Sequence, residues 1–290
     1  MRETARAFRM SMVRRSVNDL QGKSVLITGG TMGIGLATGL AFARQGCRVT
    51  LTHKWGTADQ DEIGARFAAE GLPAPRVIAA DASNDDDTDA LLEGLRGQCD
   101  GIEAFVSNVS MALIVRSLDD YSRRSLFKSI EYSAWPFFEY TRRIRAVFGR
   151  YPRYVIGLSS SGPDHFHANY DFVAASKAVL EVLCRYLSYR LFTEDVRFNI
   201  VRARAVRTES LRATFGASFE EFMVQAGMAR DFIEPEEVAG LILALCSGMM
   251  DGVSGQTLMV DRGGTFRDDL MRLYNERDSV HMGDSGGEAR

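Results

Sequence analysis

The sequence predicts an α/β fold: a doubly wound parallel sheet covered by helices in three layers, built as a single domain. Three observations carry that prediction. Short β-branched runs alternate with longer amphipathic ones over most of the chain, as in successive βαβ units. The first apolar run ends in a glycine-rich turn that opens a helical pattern. The chain has 290 residues, 46% hydrophobic and 25% charged, enough for one large core.

In order, Ser24–Thr28 reads as a buried strand and Ile34–Gln45 as a helix, followed by strand Arg48–Thr52 and helix Ala58–Ala69. Strand Arg76–Ala80, helix Asp85–Gly97 and strand Ile102–Ser107 follow. Leu118 to Phe148 reads as one long helical region containing Pro136. Strand Tyr154–Ser159, helix Tyr170–Phe192, strand Val196–Val201, helix Pro235–Cys246 and strand Thr257–Val260 close the pattern. Strands joined this way lie parallel with both faces covered. Ligands of such sheets sit beyond the carboxyl ends of the strands, so chemistry is expected in the strand-to-helix loops.

Residues 1–20 form a basic extension with five arginines, read as a basic arm, a frayed helix or an extension from a misassigned start, with Met10 and Met12 as later candidates. Residues 21–266 are the expected catalytic domain, and 267–290 a polar tail, mobile or in contact with another subunit. The formal charge of −3 gives no basic field for nucleic acid. No apolar run approaches the ~18 residues of a membrane span, and none has signal-peptide form. Cys47, Cys99, Cys184 and Cys246 form no C-x-x-C pair, which reads as a reduced, cytoplasmic protein.

The first loop reads Thr28-Gly29-Gly30-Thr31-Met32-Gly33-Ile34-Gly35. Glycines let the backbone approach a phosphate closely, and a helix start supplies free N–H groups with a positive dipole. At the end of the second strand, where a carboxylate would bind a ribose 2′-hydroxyl, stand Thr52-His53-Lys54-Trp55. A cation without a carboxylate favours a 2′-phosphate, hence NADP(H).

The spacing T-G-x-x-x-G-I-G resembles that of the short-chain dehydrogenase/reductase family, a Rossmann-type fold, and the resemblance runs from about Ser24 to Gly264. It implies a dinucleotide held by Gly29, Thr31, Met32, Gly33, Ile34 and Gly35, with His53 and Lys54 at the ribose. It likewise implies Asp81 and Ala82 at the adenine, Asn108 in the place of the family's N-N-A-G motif, and Val206 and Thr208 at the nicotinamide. Gly255 to Asp261 resembles the family's closing strand.

The family pairs tyrosine and lysine as Y-x-x-x-K, the lysine cation lowering the tyrosine pKa. Lys177 is present, but Val173 stands four residues before it. Tyr170 stands seven residues before Lys177. On a helix both separations keep the two side chains on one face, ~40° or ~20° apart, and the longer one moves the tyrosine ~4.5 Å toward the helix start. Y-x6-K is the arrangement of the family's enoyl-acyl-carrier-protein reductases. The resemblance therefore implies Tyr170 polarising the substrate oxygen, Lys177 at the nicotinamide ribose, and Ser160, seventeen residues before Lys177, at the substrate. Strand-end serines also satisfy backbone groups, and Ser159 is an alternative to Ser160.

Other readings of this region are weaker. Gly157-Leu158-Ser159-Ser160-Ser161-Gly162 lacks the G-x-S-x-G spacing of a nucleophile elbow, despite His165 and His167 nearby. His165-x-His167 lacks a third ligand, so no metal is expected. Arg202-Ala203-Arg204-Ala205 follows the sixth strand, where the family often has Pro-Gly, and its charge reads as meeting a phosphate, an acidic substrate or an internal carboxylate. Ser133 aligns with a proton-relay asparagine of the family.

Leu211, Phe215, Phe219, Phe222, Met223 and Met228 recur at helical spacing, which ordinary packing explains in large part, and the resemblance implies that this segment is the lid over an apolar substrate. Three functions follow: an NADPH-dependent enoyl-thioester reductase, a divergent ketoreductase of specialised metabolism, or a catalytically silent NADP(H)-binding protein. The expected partners are an acyl thioester or other apolar substrate, an acyl carrier protein, and further copies of the chain in a homodimer or homotetramer.

Overall fold

Alternation along the strands builds the core. In strand β1 (Ser24–Thr28), Val25 and Ile27 enter one apolar cluster while Leu26 enters the other, because successive side chains point to opposite faces. Helix α1 (Gly33–Arg44) follows, then β2 (Arg48–His53), α2 (Gln60–Ala69), β3 (Arg76–Ala79), α3 (Asp85–Arg96) and β4 (Ala104–Ser107). The second half runs α4 (Arg123–Ser133), α5 (Trp135–Phe148), β5 (Tyr154–Ser160), α6 (Asp171–Arg190) and β6 (Arg197–Ala203). It ends with α7 (Glu209–Phe215), α8 (Ser218–Gln225), α9 (Pro235–Cys246), β7 (Gln256–Val260) and α10 (Asp269–Asn275). This computed structural model describes residues 20–54, 59–216, 218–275 and 277, so the basic extension before Leu20, Trp55, Ala58 and the last residues of the tail lie outside the described residues.

The seven strands form one parallel sheet in the order β3-β2-β1-β4-β5-β6-β7. The chain therefore winds outward in both directions from the β1–β4 pair, as expected. Phe42, Ile156, Val201, Val238 and Ile242 fill the face under α1 and α9. Phe105, Phe137, Tyr140, Leu180 and Phe198 fill the face under α5 and α6.

Three elements differ from the sequence reading. The long helical region breaks at Ala134 (φ −124°, ψ −44°) because Pro136 has no N–H to donate and fits only the first turn of a new helix. Strand β6 extends to Ala203 because Arg202 and Ala203 continue the ladder beside Ser159 and Ser160 of β5 and Met259 and Val260 of β7. The start of the tail is a helix tied down by charge: Arg267 Nη1 donates to Asp231 at 3.0 Å and Arg272 Nη1 to the Ala226 carbonyl at 3.1 Å. Among the described residues the four cysteines are free thiols, and no helix is long and apolar enough to cross a membrane.

Phe137 is fully buried, edge-on to Phe198 at 5.9 Å, and packs where Gly157 of β5 leaves room. Phe137→Ala is expected to lower unfolding free energy by about 3–5 kcal/mol in denaturant titration. A loss below about 1 kcal/mol would remove this contact from the core's support.

Candidate active site

The glycine-rich loop between β1 and α1 is shaped for close approach. Gly29 and Gly33 adopt left-handed φ values of 61° and 50°, strained for any residue with a side chain. A Cβ at Gly35 would lie 2.4 Å from the Gly29 carbonyl and 2.8 Å from Asn108 Nδ2. The helix thus starts directly behind the loop. Met32 caps α1 without a side-chain acceptor, and its first turn holds no acid. The opening N–H groups and the positive end of the dipole therefore remain available to an anion. Asn108, at the end of β4, fastens the loop by donating from Nδ2 to the Gly29 carbonyl at 2.8 Å. Thr208 caps α7, accepting from Leu211 N at 3.2 Å, with its methyl group against Gly33.

Beyond the carboxyl ends of the strands lies a cavity of about 540 Å³. It is lined by Ser160, Tyr170, Lys177, Gly29, Thr31, Met32, Gly33, Ile34, His53, Lys54, Asp81, Ala82, Asn108, Val206 and Thr208. Of the residues expected at the site, Gly35 stands behind the lining. The cavity has the size of a site for a small organic ligand or cofactor. At the end of β2, Thr52 Oγ1 and His53 Nδ1 are buried without a hydrogen-bond partner. Orphaned polar atoms in a cavity wall are rare unless a ligand completes them. With the uncapped helix start, they fit a dinucleotide whose phosphates lie at α1 and whose ribose lies at β2.

Lys54 departs from the sequence expectation of a waiting cation, since its ammonium contacts the carboxylate of Asp81 and the hydroxyl of Tyr132. Arg202 likewise meets internal carboxylates. Its Nε and Nη2 form a forked pair with Glu181 at 2.6 and 2.5 Å, and Nη1 reaches Asp164. Of the three fates open to Arg202 in the sequence, the internal carboxylate is the one observed. Arg204, by contrast, lies half-buried, and its field helps hold the His167 imidazole below its ordinary pKa, after burial as the main cause.

At the other end, Lys177 is 4% exposed and donates to the Leu158 carbonyl of β5 at 2.7 Å. Burial lowers its pKa to about 8, against the opposing charge of Glu181 one turn on. Tyr170 caps α6 after Asn169, which takes a left-handed φ of 65°. Its ring lies against Gly162, where a Cβ would be 3.0 Å away. Burial raises the phenol above its usual pKa, opposed by a hydrogen bond with Ser160. Val173, in the usual place of the tyrosine, is buried and lines the cavity below it.

Ser159 is not free for a substrate, because its Oγ donates to Glu181 at 2.6 Å. Ser133 Oγ accepts from Met111 N at 3.1 Å and lies 3.2 Å from Ser110 Oγ, which fixes the loop after β4. The Ser161–His167 pair, 2.8 Å apart, has its serine 3% exposed and outside the cavity lining, so it presents no nucleophile there. Glu181 and Tyr132 were not anticipated at the site. Glu181 is detectable as the residue one helical turn after Lys177. Tyr132 comes from α4, and no local pattern points to it.

The chain matches the family described as enoyl-(acyl carrier protein) reductase over residues 29–265. It is 27% identical over 252 residues to the NADH-named enoyl-[acyl-carrier-protein] reductase FabI of Neisseria meningitidis, covering 84% of this chain and 95% of that protein. General stress protein 39 of Bacillus subtilis is 26% identical over 257 residues, covering 87% of each chain. 3beta-Hydroxysteroid dehydrogenase 1 of Eggerthella lenta is 26% identical over 255 residues, covering 86% of this chain and 95% of that one. A short-chain type dehydrogenase/reductase structure from Mycobacterium marinum shares the fold, with a TM-score of 0.76, 24% identity and coverage of 87% and 100%.

The Arg202–Glu181 pair generates a prediction. Arg202→Met should lower stability at neutral pH by about 3–5 kcal/mol, because buried Glu181 loses its forked partner and keeps Ser159 as its hydrogen-bond donor. Arg202→Met combined with Glu181→Met should recover most of that loss. Additive losses in chemical denaturation would contradict the pairing.

Proposed function

The chain belongs to the short-chain dehydrogenase/reductase family of oxidoreductases, and from that premise we propose that it is an NADPH-dependent enoyl-thioester reductase acting on acyl chains borne by coenzyme A or a carrier protein. One observation carries the reading: Tyr170 opens into the same cavity as Lys177 from seven residues away, while Val173 fills the nearer position. The family match and the FabI relative support the enoyl-reductase part of the reading, while that relative is named for NADH and lends nothing to the choice of NADPH.

The loop N–H groups at Gly33 to Gly35 would hold the pyrophosphate, Lys177 the nicotinamide ribose, and Thr208 the carboxamide. The bound nicotinamide supplies a hydride. Conjugate reduction would take that hydride at the β-carbon, gather negative charge on the thioester oxygen and complete the α-carbon with a proton from solvent. An acid displaced along α6 suits that oxygen better than a carbonyl under direct attack. Tyr170 donates its hydrogen bond there, and the Lys177 cation supports the charge across the cavity. Ser160, bonded to the phenol, orients it.

The preference for NADPH is read from the end of β2, where His53 and Lys54 stand in place of a carboxylate, although Lys54 is itself held by Asp81 beyond β3. The apolar substrate is read from α7 and α8. Leu211 lines both the main cavity and an adjoining one of about 280 Å³ that also includes Phe219. A homodimer or homotetramer belongs to the same proposal, with the exposed Tyr186 and Tyr189 of α6 as its contact.

NADPH oxidation followed by absorbance should proceed with a crotonyl thioester and fail with a β-keto thioester. The reverse would make the chain a ketoreductase, and tight NADPH binding without any turnover would make it a silent binder. Tyr170→Phe should cut turnover by about 100-fold or more with NADPH affinity nearly intact. Unchanged turnover would remove Tyr170 from the mechanism.

The pH profile carries a further test. A lysine with a lowered pKa loses its charge as pH rises through about 8, so turnover should fall above that value. The phenol, raised above its ordinary value, stays protonated throughout that range. A flat profile to pH about 10 would contradict the assigned role of the Lys177 cation.

A further inference from the structure

We propose that Asp81 and Tyr132 hold Lys54 as a latch across the adenosine end of the cavity, so that a 2′-phosphate is recognised by drawing Lys54 off Asp81. The inference rests on the NADP(H) reading above and adds a mechanism of selection to it.

The latch converges on one oxygen. Asp81 Oδ1 already accepts from Ser83 N at 3.0 Å and from Ser83 Oγ at 2.9 Å. The backbone N–H of Asp81 is also committed, to Asp87 Oδ2 at 2.8 Å. The other Asp81 oxygen, Oδ2, holds both the Lys54 ammonium and the Tyr132 hydroxyl, the latter at 3.1 Å. The same ammonium contacts the Tyr132 hydroxyl, so the three groups close a triangle. Tyr132 cannot easily swing away: it is 1% exposed in the last turn of α4, with the Lys128 ammonium 4.9 Å from its ring centre. Lys54 is the mobile member, on a flexible stem with a third of its side chain exposed. Burial alone would depress its pKa, but Asp81 and Tyr132 outweigh that and raise it, so the latch stays charged through the neutral range.

The consequence for a nucleotide follows from charge. A phosphate monoester brings up to two negative charges and three acceptor oxygens, against a single carboxylate already bonded to Ser83 and Tyr132. It can outbid Asp81 for Lys54, whereas a neutral 2′-hydroxyl cannot. Moving Lys54 also uncovers Oδ2, which an adenine amino group could then use. The adenine and 2′-phosphate contacts are thereby coupled through one oxygen, and an unphosphorylated cofactor meets a closed latch.

The test compares adenosine 2′,5′-bisphosphate with adenosine 5′-monophosphate by calorimetry, since the pair differ only in the 2′-phosphate and neither needs turnover. Wild type should bind the bisphosphate at least about tenfold more tightly, a preference that shrinks at about 0.5 M salt. Lys54→Met should bring the ratio to within about twofold of unity. Tyr132→Phe, which keeps the ring and removes one tether, should raise bisphosphate affinity by about threefold or more and leave the monophosphate within about twofold. Asp81→Asn should widen the ratio in the same direction and guards against a packing defect in the Tyr132 variant. The latch is overturned if Lys54→Met retains the preference, or if Tyr132→Phe and Asp81→Asn both leave the ratio at its wild-type value. Failure of both nucleotides to bind wild type would overturn the cofactor reading itself, and the latch with it.

Discussion

A single hydrogen bond sets the geometry of the Tyr170 end of the cavity: the buried ammonium of Lys177 donating 2.7 Å to the Leu158 carbonyl. It ties helix α6 to the end of strand β5 and fixes the rotation of the helix about its axis. Once that rotation is set, Tyr170 and Val173 must face the same cavity, because both lie on the lysine's side of the helix. A buried cation is expensive without compensation. Here the compensation runs outward through Glu181, which Arg202 and Ser159 hold in turn. The network thus links β5, α6 and β6 around one charge.

The other end of the cavity depends on contact between backbones. The loop after β1 can sit against the start of α1 and the end of β4 only because Gly35 has no side chain and Asn108 fastens Gly29. This is the point where the sheet's winding reverses, between β1 and β4, so the crevice lies where the topology opens one. A tightly packed loop and an uncapped helix start leave backbone N–H groups available to an anion. The two ends are joined by a rigid sheet, which keeps the phosphate cradle and the phenol at a fixed separation.

Much of this was legible in the amino-acid sequence. Strand alternation, the glycine spacing and the separation of Tyr170 from Lys177 are local patterns, and local patterns are set by the periods of helix and strand. What the sequence left open was the fate of its cations. Lys54 read as a charge awaiting a ligand and Arg202 as one that meets a phosphate, an acidic substrate or an internal carboxylate, and folding brings each to an internal carboxylate, Asp81 and Glu181, 27 and 21 positions away in the chain. Only the three-dimensional arrangement chooses among such partners. Tyr132 was invisible for the same reason, since it reaches the site from a helix 78 positions beyond Lys54. The break before Pro136 was implicit in the residue itself, which cannot serve inside a helix.

The most direct test of the displaced phenol asks where hydrogen is delivered. NADPH deuterated at the transferable position, supplied with a conjugated acyl thioester, should yield a saturated product whose label sits on the β-carbon in its NMR spectrum, with a solvent-derived proton on the α-carbon. Label on a carbinol carbon after incubation with a β-keto thioester, and an untouched conjugated thioester, would contradict the account.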